Sequence, residues 1–178
     1  MRDRKDEPSD LFPRRTTLNS PAPVLSIENL SIGLPALADR QHAIRNLSLS
    51  INSGETLCVV GESGSGKSMT AMATIGLLPG GVEVLSGTIK LGGRDLLALD
   101  ETGWCDVRGR EVGTVFQEPM TSLNPVMRVA DQISETFRAH GLLSPSERDR
   151  RVLDLLKEVH LPHPELIARA YPHELSGG

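Results

Sequence analysis

The sequence predicts an α/β domain organised around a phosphate-binding loop. Three observations carry that expectation. A glycine-rich stretch, GESGSGKS from Gly61 to Ser68, lies between an apolar β-like run and a helix-forming one. Upstream of it, apolar and polar residues alternate with the period of a strand. From Val129 onward the apolar spacing changes to that of a helix.

In chain order, residues 1–23 mix both charge signs with Pro and Ser. Such a stretch cannot bury enough apolar surface to order itself, so it is expected to be a flexible tail ahead of a domain over 24–178. VLSIENLSIGL and AIRNLSLSI read as strands; Leu47, Leu49 and Ile51 share one face and Ser48 and Ser50 the other. Asn52-Ser53-Gly54 is a turn signal. ETLCVV, Glu55 to Val60, reads as a buried strand, with Cys58 as a small core residue. SMTAMATIGLL is rich in good helix formers and stops at Pro79-Gly80-Gly81. GTIKL, ending at the Gly92-Gly93 turn, and VGTVF, Val112 to Phe116, read as further strands.

The last third is helical. Val129, Ile133 and Phe137 recur four apart, and SPSE from Ser144 is a capping-box signature. Behind it Val152, Leu155, Leu156 and Val159 form a helical stripe. His160 and His163 read as loop histidines, since Pro162 intervenes and no third metal ligand is evident. Trp104 and Tyr171 read as local anchors. No internal repeat is visible.

Composition bounds function. At 178 residues the chain can bury an ordinary single-domain core. Aromatics are only 3%, so the core must be aliphatic. A net charge of −4 argues against a nucleic-acid partner. No apolar run approaches the ~18 residues of a spanning helix. Two isolated cysteines, Cys58 and Cys105, suggest a reducing compartment rather than a disulfide framework.

GESGSGKS fits the pattern G-x-x-x-x-G-K-[ST] in full and sits between strand and helix, where the chemistry requires it. Gly61, Gly64 and Gly66, with Glu62, Ser63 and Ser65 between them, let successive backbone N–H groups turn inward on phosphate oxygens. The following helix adds unpaired N–H groups and the positive end of its dipole. Lys67 would reach the terminal phosphates as a point charge, and Ser68 would offer its hydroxyl to Mg²⁺. This motif does not choose among ATPase, GTPase and kinase.

Such a site also needs a carboxylate for the metal. LLALDE places Asp100 and Glu101 after four apolar residues. Leu96, Leu97, Ala98 and Leu99 include no β-branched residue, so a loop and short helix fit better than a metal-bearing strand. The alternative left open is a small self-contained P-loop NTPase or kinase using Asp100 and Glu101.

GESGSGKS, then VFQEPMTSLNP from Val115, then YPHELSGG from Tyr171, together resemble the ATP-binding cassette of ABC transporters: Walker A, Q-loop and signature in order. The wording of the last two is similar to ATPase subunits of the dipeptide, oligopeptide and nickel importers, and especially to glutathione importers. The resemblance implies a P-loop NTPase of ABC type, with an antiparallel β portion and a helical subdomain. It implies ATP and Mg²⁺ as ligands. Gln117 becomes the Q-loop glutamine, beside Mg²⁺ and the γ-phosphate, and Leu175, Ser176, Gly177 and Gly178 the signature that grips ATP held by a second cassette. Implied partners are that second cassette, in a homo- or heterodimer, the transmembrane permease subunits and, indirectly, a periplasmic solute-binding protein. The implied location is the cytoplasmic face of the inner membrane.

The sequence departs from the family in two respects. Walker B, the catalytic Glu and the switch His follow the signature in family members, and no such residues occur here. The expectation is therefore a fragment with a truncated helical subdomain that binds ATP but does not hydrolyse it alone. Upstream of Walker A, where the family stacks adenine on an aromatic side chain, the only ring between Val24 and Ser53 is His42. A non-transport ABC ATPase of the DNA-repair kind and a pure nucleotide-binding module are the remaining readings.

Overall fold

The computed structural model describes residues 22–117 and 122–175. The tail expected over 1–23 therefore lies almost wholly outside the described residues. The chain divides into two compact units, Met1–Ala71 with Leu78–Leu97, and Met72–Leu77 with Ala98–Gly178.

The first unit is an antiparallel sheet. Its strands are β1 (Leu25–Gly33), β2 (His42–Ile51), β3 (Glu83–Leu91) and the short β4 (Arg94–Asp95), in the spatial order β2-β1-β3-β4. In register, Ile27 faces Leu49 on one side and Ile89 on the other, and Ile32 faces Ile44 and Val84. Ile27, Leu30, Ile32, Ile89 and Leu96 are essentially inaccessible and form the aliphatic core that the scarcity of aromatics required. The alternation in β2 holds: Leu47, Leu49 and Ile51 are half-buried, Ser48 and Ser50 exposed.

β1 carries register shifts after Ile27 and around Ser31, with Asn29 at φ 51°. A bulge of this kind re-aims side chains, so that Leu30 and Ser31 are both buried although adjacent. Gly87 packs against it at φ +97°; a Cβ there would lie 2.6 Å from the Glu28 carbonyl oxygen and the Leu30 nitrogen. β3 also begins four residues earlier than the GTIKL reading placed it.

Two expected strands do not form. Residues 55–60 and 113–116 have no sheet partner among the described residues; only an isolated parallel bridge joins Arg108 and Val112. Their apolar side chains are open to solvent, Val60 at 88% and Val115 at 93% exposed, and Cys58 is exposed rather than in a core. A continuous apolar run specifies a strand covered on both faces. It becomes one only where neighbouring strands supply the hydrogen bonds, and the described residues supply none.

Helix α1 (Lys67–Thr74) begins in the first unit and ends in the second. It stops at Gly76, φ +64°, earlier than Pro79-Gly80-Gly81 predicted. A left-handed glycine just past the last turn closes a helix, and Trp104 leaves no room for a side chain there: a Cβ on Gly76 would lie 2.4 Å from its Cε2. Arg108 seals the same end. Its Nε donates to the Ile75 carbonyl at 2.8 Å and its Nη2 to that of Gly76 at 2.9 Å, while the guanidinium lies 5.2 Å from the centre of the Trp104 ring. A cation suits the negative end of a helix.

The rest of the second unit comprises α2 (Glu101–Val107), α3 (Val129–Ala139), α4 (Pro145–Glu158), α5 (Pro164–Arg169) and a 3₁₀ turn over Pro172–Glu174. Val129, Val152, Leu156 and Ala168 are its buried centre, with Ile133, Leu161 and Ile167 packed around them. Phe137 is half-buried as its spacing implied, but α4 ends one residue before Val159, which is 64% exposed. The capping box is present: the Ser144 N–H donates to Glu147 Oε2 at 2.9 Å, and the Ser144 hydroxyl bonds the same oxygen. These bonds hold the Glu147 carboxyl below the usual carboxylate range. His160 and His163 are exposed, both at positive φ, and no metal-ligating cluster occurs among the described residues.

Candidate functional site

The glycine-rich loop expected to bind phosphate runs from Gly61 to Gly66 and delivers Lys67 and Ser68 at the start of α1. Two of its glycines are dictated by geometry. Gly64 holds φ +78° and Gly66 φ +97°, in the region that disfavours side chains. At Gly66 space is also short: a Cβ would lie 2.8 Å from Ile44 Cγ1 and 2.9 Å from the Ala43 carbonyl oxygen. The loop is thus pressed directly onto β2.

Lys67 closes the loop on itself. Its Nζ donates to the carbonyls of Gly61 at 2.7 Å and Glu62 at 2.8 Å. The Ser65 N–H donates to the Glu62 carbonyl at 3.2 Å, making an internal turn. Thr70, buried on α1, donates both its N–H and its hydroxyl to the Gly66 carbonyl, at 2.9 Å and 3.1 Å. That carbonyl is thereby tied into the first turn of α1.

Beside the loop lies a cavity of about 200 Å³, lined by Gly64, Gly66, Lys67 and Ser68 on one side and Leu34, Arg40 and Ala43 on the other. Arg40, in the β1–β2 turn, reaches the loop and donates from Nη2 to the Gly64 carbonyl. Sequence reading passed over this residue, because a turn arginine has no local signal of its target. His42, the ring considered for adenine, is not in the cavity lining; its Nδ1 lies 3.2 Å from Arg45 Nη2.

The fold and loop geometry have matching relatives. A family model described as ABC transporter matches residues 44–178, three quarters of the chain. The chain belongs to the ABC transporter family. It is 41% identical over 156 residues to the dipeptide transport ATP-binding protein DppD of Lactococcus lactis subsp. cremoris, covering 87% of this chain and 45% of that protein. It is also 41% identical over 156 residues to the oligopeptide transport ATP-binding protein OppD of Bacillus subtilis, covering 87% and 44%. Identity to the glutathione import ATP-binding protein GsiA of Shigella dysenteriae is 44% over 161 residues, covering 87% and 26%. The chain therefore spans less than half the length of these curated relatives. Among solved structures, the dimeric MJ0796 bacterial ABC transporter cassette superposes with a TM-score of 0.72 at 25% identity, over 86% of this chain and 63% of that one. The same cassette bound to ADP and Pi gives 0.70.

In this ABC chain residues 61–68, the stretch expected from its pattern to be Walker A, come together within the first unit. Gln117 belongs to the second unit, exposed in the loop after residues 113–116. Leu175, also in the second unit, is half-buried and packs against the core of α3, α4 and α5, a structural contact its place in the LSGG stretch did not announce. Ser176, Gly177 and Gly178 lie outside the described residues. Ahead of them Tyr171 stacks on His173 at 5.7 Å and receives the Arg128 guanidinium on its ring, so it is the anchor expected.

The carboxylate pair is accounted for without chemistry. Asp100 is the N-cap of α2, its Oδ1 accepting the Gly103 N–H at 2.8 Å. Glu101 accepts from Arg108 Nη1 at 2.7 Å. The loop and short helix expected there are what forms, and both carboxylates are engaged in holding it. Among the described residues, no helix is long and apolar enough to cross a membrane.

Proposed function

We propose that this chain is the nucleotide-binding part of an ABC importer ATPase subunit that couples ATP hydrolysis to uptake of peptides or a small solute such as glutathione. One observation carries the reading. Lys67, bonded to the Gly61 and Glu62 carbonyls, and the positive-φ glycines Gly64 and Gly66 close a loop over a G-x-x-x-x-G-K-[ST] stretch, in a chain whose relatives bear dipeptide, oligopeptide and glutathione transport names.

The chemistry follows from the loop. ATP phosphates accept from the N–H groups of residues 61–68, and Lys67 exchanges loop carbonyls for phosphate oxygens. Mg²⁺ suits the donor set: Ser68 offers one neutral oxygen at the cavity, as befits an ion that keeps most of its waters. Ser68 would hold Mg²⁺ there, and the ion would supply positive charge against the phosphates. Gln117 is the proposed second contact to metal and γ-phosphate. Residues 175–178 are the proposed signature, acting on ATP held by a second cassette. Permease subunits, a periplasmic solute-binding protein and a place at the cytoplasmic membrane face complete the proposal, with residues 24–178 as the cassette body.

Calorimetry and steady-state phosphate release on the 178-residue chain test this reading. Saturable Mg²⁺–ATP binding with negligible turnover is expected. Absence of binding refutes it, and robust unaided turnover would point to a self-contained NTPase instead.

A further inference from the structure

The cavity beside the Walker A loop has two charged side chains in its lining, Lys67 and Arg40, and both are cations. Lys67 rises from the loop. Arg40 comes from the opposite side, out of the β1–β2 turn, whose closure by the Leu34 N–H to Gln41 carbonyl bond at 2.9 Å fixes its approach. One guanidinium nitrogen is spent on the Gly64 carbonyl. A guanidinium carries five N–H donors in a rigid fork, so the others remain for an oxyanion. No acidic side chain lines the cavity to neutralise either cation, and the remaining side chains there, Leu34, Ala43 and Met69, are aliphatic. Nothing in this lining offers a ring to stack a base or, apart from Ser68 and the two cations, a polar side chain to read its edge.

Resting on the nucleotide-binding reading above, we propose that Arg40 is a second phosphate-binding cation. With Lys67 it clamps the triphosphate chain, so that affinity resides in the phosphates and the site discriminates weakly between adenine and guanine. A forked cation against a polyanion forms charge-assisted hydrogen bonds, roughly twice as strong as neutral ones. An aliphatic wall contributes contact area to either purine alike.

Calorimetric titration of the 178-residue chain with ATP, GTP and inorganic tripolyphosphate, each with Mg²⁺, tests this. Kd values for ATP and GTP within about threefold of each other are expected. Arg40→Ala should raise all three Kd values by a common factor, about tenfold for one lost charge-assisted contact. Arg40→Lys should restore part of the loss, as a point charge without the fork. Arg40 is exposed in a turn, and an unchanged far-UV circular dichroism spectrum confirms that the variants fold. Lys67→Ala is the control for the underlying reading: if it weakens tripolyphosphate binding and Arg40→Ala does not, the role of Arg40 is overturned while the Walker A site stands. If Arg40→Ala weakens the nucleotides and spares tripolyphosphate, Arg40 serves the base and the proposal is equally overturned. If the unsubstituted chain binds none of the three, both readings fail.

Discussion

Substituting Gly66 by alanine separates steric fit from backbone freedom at the loop. The new Cβ would lie 2.9 Å from the Ala43 carbonyl oxygen and 2.8 Å from Ile44 Cγ1. The first is backbone of β2 and cannot yield without moving the sheet; Ile44 is itself 8% exposed and packed. Holding a non-glycine residue at φ +97° costs about 1–3 kcal/mol, and overpacking adds about 1–3 kcal/mol. The sum is about 2–6 kcal/mol, large against the ~5–15 kcal/mol of a typical domain. Gly54→Ala is the internal control: Gly54 also has positive φ, +74°, but a Cβ there meets nothing within 4 Å. It should cost only the conformational part, about 1–2 kcal/mol. Urea denaturation followed by circular dichroism reads the difference. With a slope of about 1–3 kcal/mol/M, the overpacking part should lower the Gly66→Ala midpoint by about 0.3–3 M beyond Gly54→Ala. ATP affinity measured below the transition should fall for Gly66→Ala alone. Equal midpoint shifts for the two variants, or an unchanged ATP affinity in Gly66→Ala, would refute the claim that close packing on β2 shapes the loop.

Two further perturbations probe the second unit. Arg108→Ala removes two bonds to the carbonyls of Ile75 and Gly76 and the cover on Trp104, and should destabilise by about 1–3 kcal/mol by urea melting; Glu101→Gln, at a side chain 75% exposed, should cost under about 1 kcal/mol. The Glu147 carboxyl, held low first by the Ser144 hydroxyl and then by the Ser144 N–H, stabilises the start of α4 above the ordinary carboxylate pKa. That contribution should disappear as pH falls through the depressed value, so hydrogen exchange in the first turn of α4 should accelerate on acidification, and Glu147→Gln should abolish that acid-dependent component.

Much of the site was legible because its constraints are local. Gly64, Gly66, Lys67 and Ser68 stand in a spacing set by neighbours in the chain, and the positive φ of Gly64 and Gly66 is the backbone freedom those glycines supply. The capping box at Ser144 and the alternation in β2 were readable for the same reason. Asp100 was nearly so: helix-forming residues before it pointed to a turn, and the N-cap bond to Gly103 is three residues long. Arg40, Arg108 and Leu175 were not legible. Arg40 meets Gly64 across 24 residues and Arg108 meets Ile75 across 33, and no periodicity encodes such partners.

The apolar segments at 55–60 and 113–116 mark the same boundary from the other side. Their composition specifies a buried strand, yet pairing is a property of two strands at once, and the described residues offer no second one. Sequence by itself determined the glycine positions of the loop, the capped start of α4 and the faces of β2, because dihedral preference and side-chain period act over a few residues. Only the tertiary structure decided that Trp104 packs against Gly76, that β2 crowds Gly66, and that Arg40 rather than His42 lines the cavity, because each depends on atoms that folding brings together from distant parts of the chain.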